Sequence, residues 1–163
     1  MTVLLDCIKK KSNTNCIWLM RQAGRYLPEF RKIRSENLDF IKLCLNESLS
    51  SEITVQPLRR FEIDAAIIFS DILLVPYALG QKVNFRKDFG PVLGKLDLNK
   101  ITLTDEVEFV KKLSPVYKAI KITKERKELK NRDLIGFVGA PWTILVYMLN
   151  QRSPKNNNIM SHL

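Results

Sequence analysis

The sequence predicts an α/β chain carrying two parallel βα units of an unfinished sheet or barrel. Three observations predict it. Ala65–Phe69 and Leu134–Val138 are short apolar runs without alternation, the pattern of strands buried on both faces. Each run follows a segment with apolar residues at helical spacing. Each is also followed by a loop and a further helical segment, so the order is strand, helices, strand, helix.

The elements follow in chain order. Leu4, Leu5 and Ile8 define one face of a short N-terminal helix, and Lys9–Lys11 suit its C-terminal end. Ile17-Trp18-Leu19-Met20 is a short apolar run, read as a strand or an extended buried segment. Gly24 relaxes the chain before Tyr26-Leu27-Pro28. Pro28 disfavours helix at Leu27 but fits a first helical turn, so a helix is expected over Glu29–Ser35. Leu38, Ile41 and Leu45 are spaced as on a helix. So are residues 48–60, with Ser50 or Ser51 as cap and Pro57 as an obstacle that kinks the helix or forces it to start at Thr54.

After the first strand, Pro76, Gly80, Gly90, Pro91 and Gly94 punctuate a loop-rich stretch in which Gln81–Phe85 and Val92–Leu96 can pair. Thr104 caps a helix with an acidic first turn. Pro115 is expected to interrupt it, with a second helix running to about Leu129. After the second strand and Gly139, Pro141 opens a helix over Trp142–Leu149. Residues 1–149 therefore form the folded part, and 150–163 a polar tail with little to pack, expected to be mobile. Two βα units leave edges and faces without partners, so the sequence ends while the architecture is still being built.

Composition narrows the function. The 163 residues include 27 Lys and Arg against 17 Asp and Glu, a formal charge of +10. That charge fits a solvated basic face, a polyanionic small molecule, or nucleic acid. Lys is spread along the whole chain and no nucleic-acid motif accompanies it, so nucleic acid is the weakest of the three. The three Cys (Cys7, Cys16, Cys44) lack metal-site spacing, and a disulfide scaffold or structural zinc is not expected. No secretory signal and no membrane-spanning run is visible, which gives a cytoplasmic, soluble protein as the expectation. His162 is the only His and lies in the tail, so no local His-based acid–base site is expected. Nucleotide-binding glycine motifs are missing as well.

Three clusters can carry chemistry. In Arg21-Gln22-Ala23-Gly24-Arg25-Tyr26, two guanidinium forks four residues apart match carboxylate or phosphate; the alternative is that they pair with Glu29, Glu36 or a C-terminal acid. Ser70-Asp71 stands at the C-terminal end of the first strand, where α/β folds place ligands. Asp71 is either a functional carboxylate or a cap on the next turn. In Gly136-Phe137-Val138-Gly139-Ala140-Pro141-Trp142-Thr143, Gly139 and Ala140 allow close approach to a ligand, and the following helix offers N–H groups to an anion. Trp142 is equally a core residue, and Tyr147 points toward the strand end or into the layer between helix and sheet.

Together these clusters resemble the uroporphyrinogen decarboxylase family. Trp18-Leu19-Met20-Arg21-Gln22-Ala23-Gly24-Arg25-Tyr26-Leu27-Pro28-Glu29-Phe30-Arg31 resembles its N-terminal signature. Phe69-Ser70-Asp71-Ile72-Leu73, with Pro76 and Ala78-Leu79-Gly80, resembles a second block. Gly90-Pro91 resembles a Gly-Pro loop, and Gly136–Thr143 with Tyr147-Met148 a third block. The likeness runs from about residue 3 to 149.

The resemblance implies a cofactor-free, homodimeric (β/α)8 barrel without metal. It implies removal of carbon dioxide from the four acetate side chains of uroporphyrinogen, giving coproporphyrinogen in haem biosynthesis. Asp71 then matches the residue that binds the pyrrole N–H groups and stabilises the protonated intermediate. Arg21 and Arg25 match residues that bind substrate carboxylates or help protonation, and Tyr147 one that positions the reacting acetate. Gln22, Ala23 and Gly24 belong to the same cleft-lining segment. The family's chain is about twice this length. Only the N-terminal helical region and the first two of eight barrel strands have counterparts here, and after Met148 the likeness gives way to Leu149-Asn150-Gln151-Arg152. A truncated or split product is expected, inactive alone or requiring a complementary C-terminal fragment.

Overall fold

A computed structural model describes residues 2–11, 13–86, 89–97 and 105–153. It divides the chain into two compact units. The first comprises Met1–Leu38, Leu43–Ser70 and Pro115–Phe137; the second comprises Asp39–Lys42, Asp71–Ser114 and Val138–Leu163. Elements in order are α1 (Val3–Ile8), α2 (Pro28–Glu36), α3 (Phe40–Cys44), α4 (Glu47–Arg60), β1 (Ala65–Ile67), α5 (Leu74–Ala78), β2 (Val83–Arg86), β3 (Gly90–Leu93), α6 (Glu106–Lys124), a 3-10 turn (Lys127–Leu129), β4 (Asp133–Ile135) and α7 (Pro141–Asn150).

In the first unit β1 and β4 pair in parallel, with Ala65 opposite Asp133 and Ile67 opposite Ile135. This is the expected relation of the two apolar runs. Both strands are shorter than expected. Phe69 leaves the ladder because side chains of α4 take its backbone groups, and Gly136, Phe137 and Val138 are exposed beyond β4. One core cluster joins Val55, Leu58, Ile63, Ala66 and Leu129, with Leu134 against it. A second joins Leu27, Phe30, Leu43 and Ile53, with Phe69 and Ile33 packed alongside. Each fully buried aliphatic side chain contributes roughly 1.5–3 kcal/mol by leaving water. In the second unit β2 and β3 form an antiparallel pair, Val83 opposite Leu93, and α5 packs on α7. Gly80 closes α5 at φ +90, a left-handed position that favours glycine.

Several expectations are corrected. Ile17–Met20 is neither strand nor buried: all four side chains are exposed, Met20 most of all at 77%. On α1 only Leu4 is buried, while Leu5 and Ile8 face outward, because six residues pack through one narrow stripe. Asn46, not Ser50 or Ser51, caps α4 by accepting the Leu49 N–H at 3.0 Å, and both serines are buried inside the helix. Pro57 neither breaks nor delays α4, and Pro115 lies within the uninterrupted α6, which stops at Lys124 rather than Leu129. A proline inside a helix costs about 3 kcal/mol. Burial of Ile53, Val55 and Leu58 around Pro57, and of Leu113 and Ala119 around Pro115, offsets it. Trp142 is exposed rather than core.

The expected cap Thr104 lies outside the described residues, and so does most of the tail. The described start of that tail is tied down: α7 includes Asn150, the Leu93 N–H donates to the Gln151 carbonyl, and Arg152 bridges Val92. None of the described helices is long and apolar enough to cross a membrane.

Candidate functional site

In the first unit, the candidate segment Arg21–Arg25 is built onto β1. Parallel pairing uses one edge of this strand: the Asp133 N–H donates to the Asp64 carbonyl and the Ile68 N–H to the Ile135 carbonyl. The other edge is held by a side chain. Gln22, buried at 4% exposure, donates from Nε2 to the Ala65 carbonyl at 2.8 Å and accepts the Ile67 N–H on Oε1 at 3.0 Å. Two residues on, α4 takes over. Ser50 donates its hydroxyl to the Phe69 carbonyl at 2.6 Å, and Thr54 Oγ1 accepts the Phe69 N–H at 2.8 Å. Thr54 also donates to the Ser50 carbonyl at 2.7 Å. The strand end is therefore fixed at Ala65, Ile67 and Phe69, immediately before Ser70-Asp71.

Sequence reasoning missed Ser50 and Thr54 in this part. The available signal was two hydroxyls at i and i+4, on the helix face that also carries Leu58, and such groups are costly to bury unless they meet partners.

In the first unit, Arg21 and Arg25 are exposed, and among the described residues neither guanidinium meets a carboxylate. The alternative pairing with Glu29 does not form. Arg60 holds Glu29 instead, bidentately at 2.7 and 2.8 Å, and keeps its carboxyl at a pKa of about 2. The turn between the two arginines closes through the Leu27 N–H on the Gly24 carbonyl at 3.0 Å, and the Tyr26 hydroxyl donates to the Gln22 carbonyl. Gly24 has no left-handed φ, and a Cβ there would make only ordinary contact with the Tyr26 ring at 3.5 Å, so this turn does not demand glycine. Ala23 is half-buried against the second core cluster.

In the second unit, Asp71 is half-buried and opens the turn into α5. Its Oδ1 accepts the Leu73 N–H at 2.8 Å, while Oδ2 accepts no hydrogen bond among the described residues. Burial pushes its carboxyl above the ordinary value, and the Leu73 N–H works against that rise. Asp71 is thus a cap with one oxygen to spare. Gly139 packs beside this turn: a Cβ there would come within 2.5 Å of Ile144 Cδ1 and 3.1 Å of Ile72 Cβ. The glycine serves close packing of α7 on the Ile72 turn, a use within the protein rather than toward a ligand. Tyr147 is half-buried on α7, its hydroxyl 3.5 Å from Ser153 Oγ. Gln81 ties β3 to α7 by donating to the carbonyls of Gly94 and Met148.

The structure thus sets Arg21, Gln22, Ala23, Gly24 and Arg25 around β1 in the first unit, and Asp71 and Tyr147 in the second. Among the described residues no group of three His, Cys, Asp or Glu side chains is placed to hold a metal ion.

Comparison with known proteins complements this geometry. The family model for uroporphyrinogen decarboxylase (URO-D) matches residues 4–163. The uroporphyrinogen decarboxylase of Campylobacter jejuni (strain NCTC 11168) is 45% identical over 152 residues, 92% of this chain and 44% of that protein. Those of Campylobacter hominis and Rickettsia canadensis are each 43% identical, each over 96% of this chain and 46% of the relative. The chain therefore spans a little under half the length of the curated relatives it matches.

Proposed function

The chain belongs to the uroporphyrinogen decarboxylase family, and from that premise we propose that it supplies the N-terminal part of a (β/α)8 barrel that decarboxylates uroporphyrinogen. The carrying observation is Asp71: a carboxylate four residues past β1, fixed through one oxygen by the Leu73 N–H, while its other oxygen accepts no hydrogen bond among the described residues. Four pyrrole N–H donors converge on the centre of the macrocycle, and one ionised carboxylate can accept them. The substrate's eight carboxylates suit the exposed forks of Arg21 and Arg25, which meet no carboxylate among the described residues, and the charge of +10.

The chemistry then runs as follows. A proton added to a pyrrole α-carbon makes a cation conjugated to the acetate-bearing carbon. The bond from the acetate CH2 to its carboxylate breaks, carbon dioxide leaves, and the electron pair neutralises the cation. A proton returned to the exocyclic carbon, with loss of the first, leaves a methyl group. Each round consumes one proton and one carboxylate. Asp71 stabilises the cation as a preorganised opposite charge. Arg21 and Arg25 bind carboxylates or assist protonation, and Tyr147 orients the reacting acetate. Gln22, Ala23 and Gly24 shape the segment that bears the arginines.

The part of the barrel that the relatives carry beyond the matched region is the second component of this reading. Assembly as a homodimer belongs to the completed barrel.

The test is conversion of uroporphyrinogen to coproporphyrinogen by the purified chain, with and without the C-terminal portion of the Campylobacter jejuni relative. Little or no turnover is expected alone, and measurable turnover together. In the complemented enzyme, Asp71→Asn should lower turnover by about 10²–10³-fold, the usual scale for a lost charge-stabilising group. His162→Ala should leave it unchanged. Robust turnover by the chain alone overturns the need for a second polypeptide, and equal effects of the two substitutions overturn the role of Asp71.

A further inference from the structure

We propose that Gln22 is a positioning residue: its carboxamide fastens the Arg21–Arg25 segment to the open edge of β1 and holds both guanidinium groups at one register along that strand. In a parallel strand, successive residues turn their backbone groups to opposite edges. The Asp64 carbonyl and the Ile68 N–H are used on the β4 side, and the Ala65 carbonyl and the Ile67 N–H lie on the far edge. Gln22 takes both, at 2.8 and 3.0 Å, doing the work of one peptide unit of a neighbouring strand. At 4% exposure its side chain is committed to the strand and is not offered to a ligand.

A second fastening lies five residues earlier. The Ile17 N–H donates to Asp64 Oδ2 at 2.7 Å, and the Asp64 N–H to the Ile17 carbonyl at 2.8 Å. Ile17–Gln22 is therefore a strap tied at one end to Asp64, just before β1, and at the other to β1 itself. Arg21 is adjacent to the second tie. Arg25 follows within a turn whose backbone is closed at Leu27 and whose own carbonyl accepts Arg31 Nη1 at 2.7 Å. Fixing the backbone beforehand lowers the ordering cost when a long side chain binds an anion. At neutral pH the carboxamide supplies both the donor and the acceptor that this spacing needs. A carboxylate at position 22 would keep the Ile67 bond and turn an oxygen onto the Ala65 carbonyl.

The inference rests on reading Arg21 and Arg25 as carboxylate-binding groups, and its test separates the two. Amide hydrogen exchange is measured on the 163-residue chain, its Gln22→Met variant (near-equal volume, neither hydrogen bond) and its Gln22→Glu variant. In Gln22→Met the Ile67 and Leu27 amides should exchange about tenfold faster or more, the scale of two lost hydrogen bonds, while Ile68, bonded to Ile135, keeps its protection. At neutral pH Gln22→Glu should spare the Ile67 amide, whose acceptor it keeps, but speed exchange at Leu27, which should regain protection as acid protonates the new carboxyl and restores its donor.

The same proteins are then titrated with uroporphyrin, an octacarboxylate porphyrin, at equal folded fraction. Affinity should fall about tenfold in Gln22→Met, a change in binding per folded molecule that a residue serving stability alone would not cause. Unchanged Leu27 exchange overturns the inference, as does unchanged affinity in Gln22→Met when the parent chain binds. A parent chain that does not bind uroporphyrin refutes the reading of the arginines, and exchange at Leu27 still decides the part played by Gln22.

Discussion

Asp71 carries opposing demands for stability and for function. Its carboxylate is half-buried in the turn that opens α5, and burial raises its pKa above the ordinary 3.8. A carboxyl with a raised folded-state pKa binds its proton more tightly in the native state. Stability is therefore greatest below the unfolded value and declines as pH rises through the folded one. Asp71→Asn removes this loss and keeps an oxygen for the Leu73 N–H. We expect its thermal midpoint to exceed that of the parent by roughly 1–3 °C at pH 7, with the gain vanishing below about pH 3.8. Calorimetry across that range checks it, and an equal gain at every pH would remove ionisation as the cause. A more stable but less active variant is the usual sign of a residue retained for chemistry.

At the scale of elements, β1 is held less by its ladder than by side chains reaching across from elsewhere. Three residues pair with β4, while Gln22 covers the open edge and Ser50 and Thr54 take the backbone of Phe69. Thr54→Val keeps the shape and the β-branch but leaves the Phe69 N–H without an acceptor. Such a loss costs about 1–3 kcal/mol. Urea denaturation should show it, and Thr54→Ser should recover most of the difference; a Val variant as stable as the parent would remove the clamp from the account. The same scale explains the two prolines. Pro57 and Pro115 are helix breakers by local rule, and both sit inside continuous helices because packing on either side exceeds one lost hydrogen bond.

Across the molecule, charge is organised more tightly than the composition implies. A net +10 reads as diffuse basicity. In the first unit, however, Glu52 lies between Arg59 and Arg126, and Glu128 also receives Arg59 Nε at 2.8 Å. Burial alone would raise both carboxyls, but bonds from the arginines outweigh it and lower them below 4.5. With Glu29 at about 2, these groups contribute stability that is complete above 4.5 and is lost as pH falls toward 2. Unfolding followed from pH 6 to pH 2 should therefore show a loss of stability that is shallower in Glu52→Gln and reduced by 1 M salt, since these pairs are partly exposed. A slope identical in parent and variant would show that Glu52 takes no part.

Much of this was legible in the residues. The two apolar runs, their parallel relation, the helices that follow them and the Arg21–Arg25, Asp71 and Gly136–Tyr147 blocks are local patterns, and local patterns specify elements and family because propensity and periodicity act over a few residues. The sequence by itself thus determined the two parallel strands, the helices that follow them, and that Asp71 lies just past the first strand. Only the tertiary structure decided what holds that strand end. Gln22 meets Ile67 across 45 residues, Thr54 meets Phe69 across 15, and Glu29 chooses Arg60 across 31 rather than the arginines a few places away. A hydrogen bond depends on distances of about 3 Å between groups whose separation along the chain carries no information, so partners are assigned only when the packed elements bring them together.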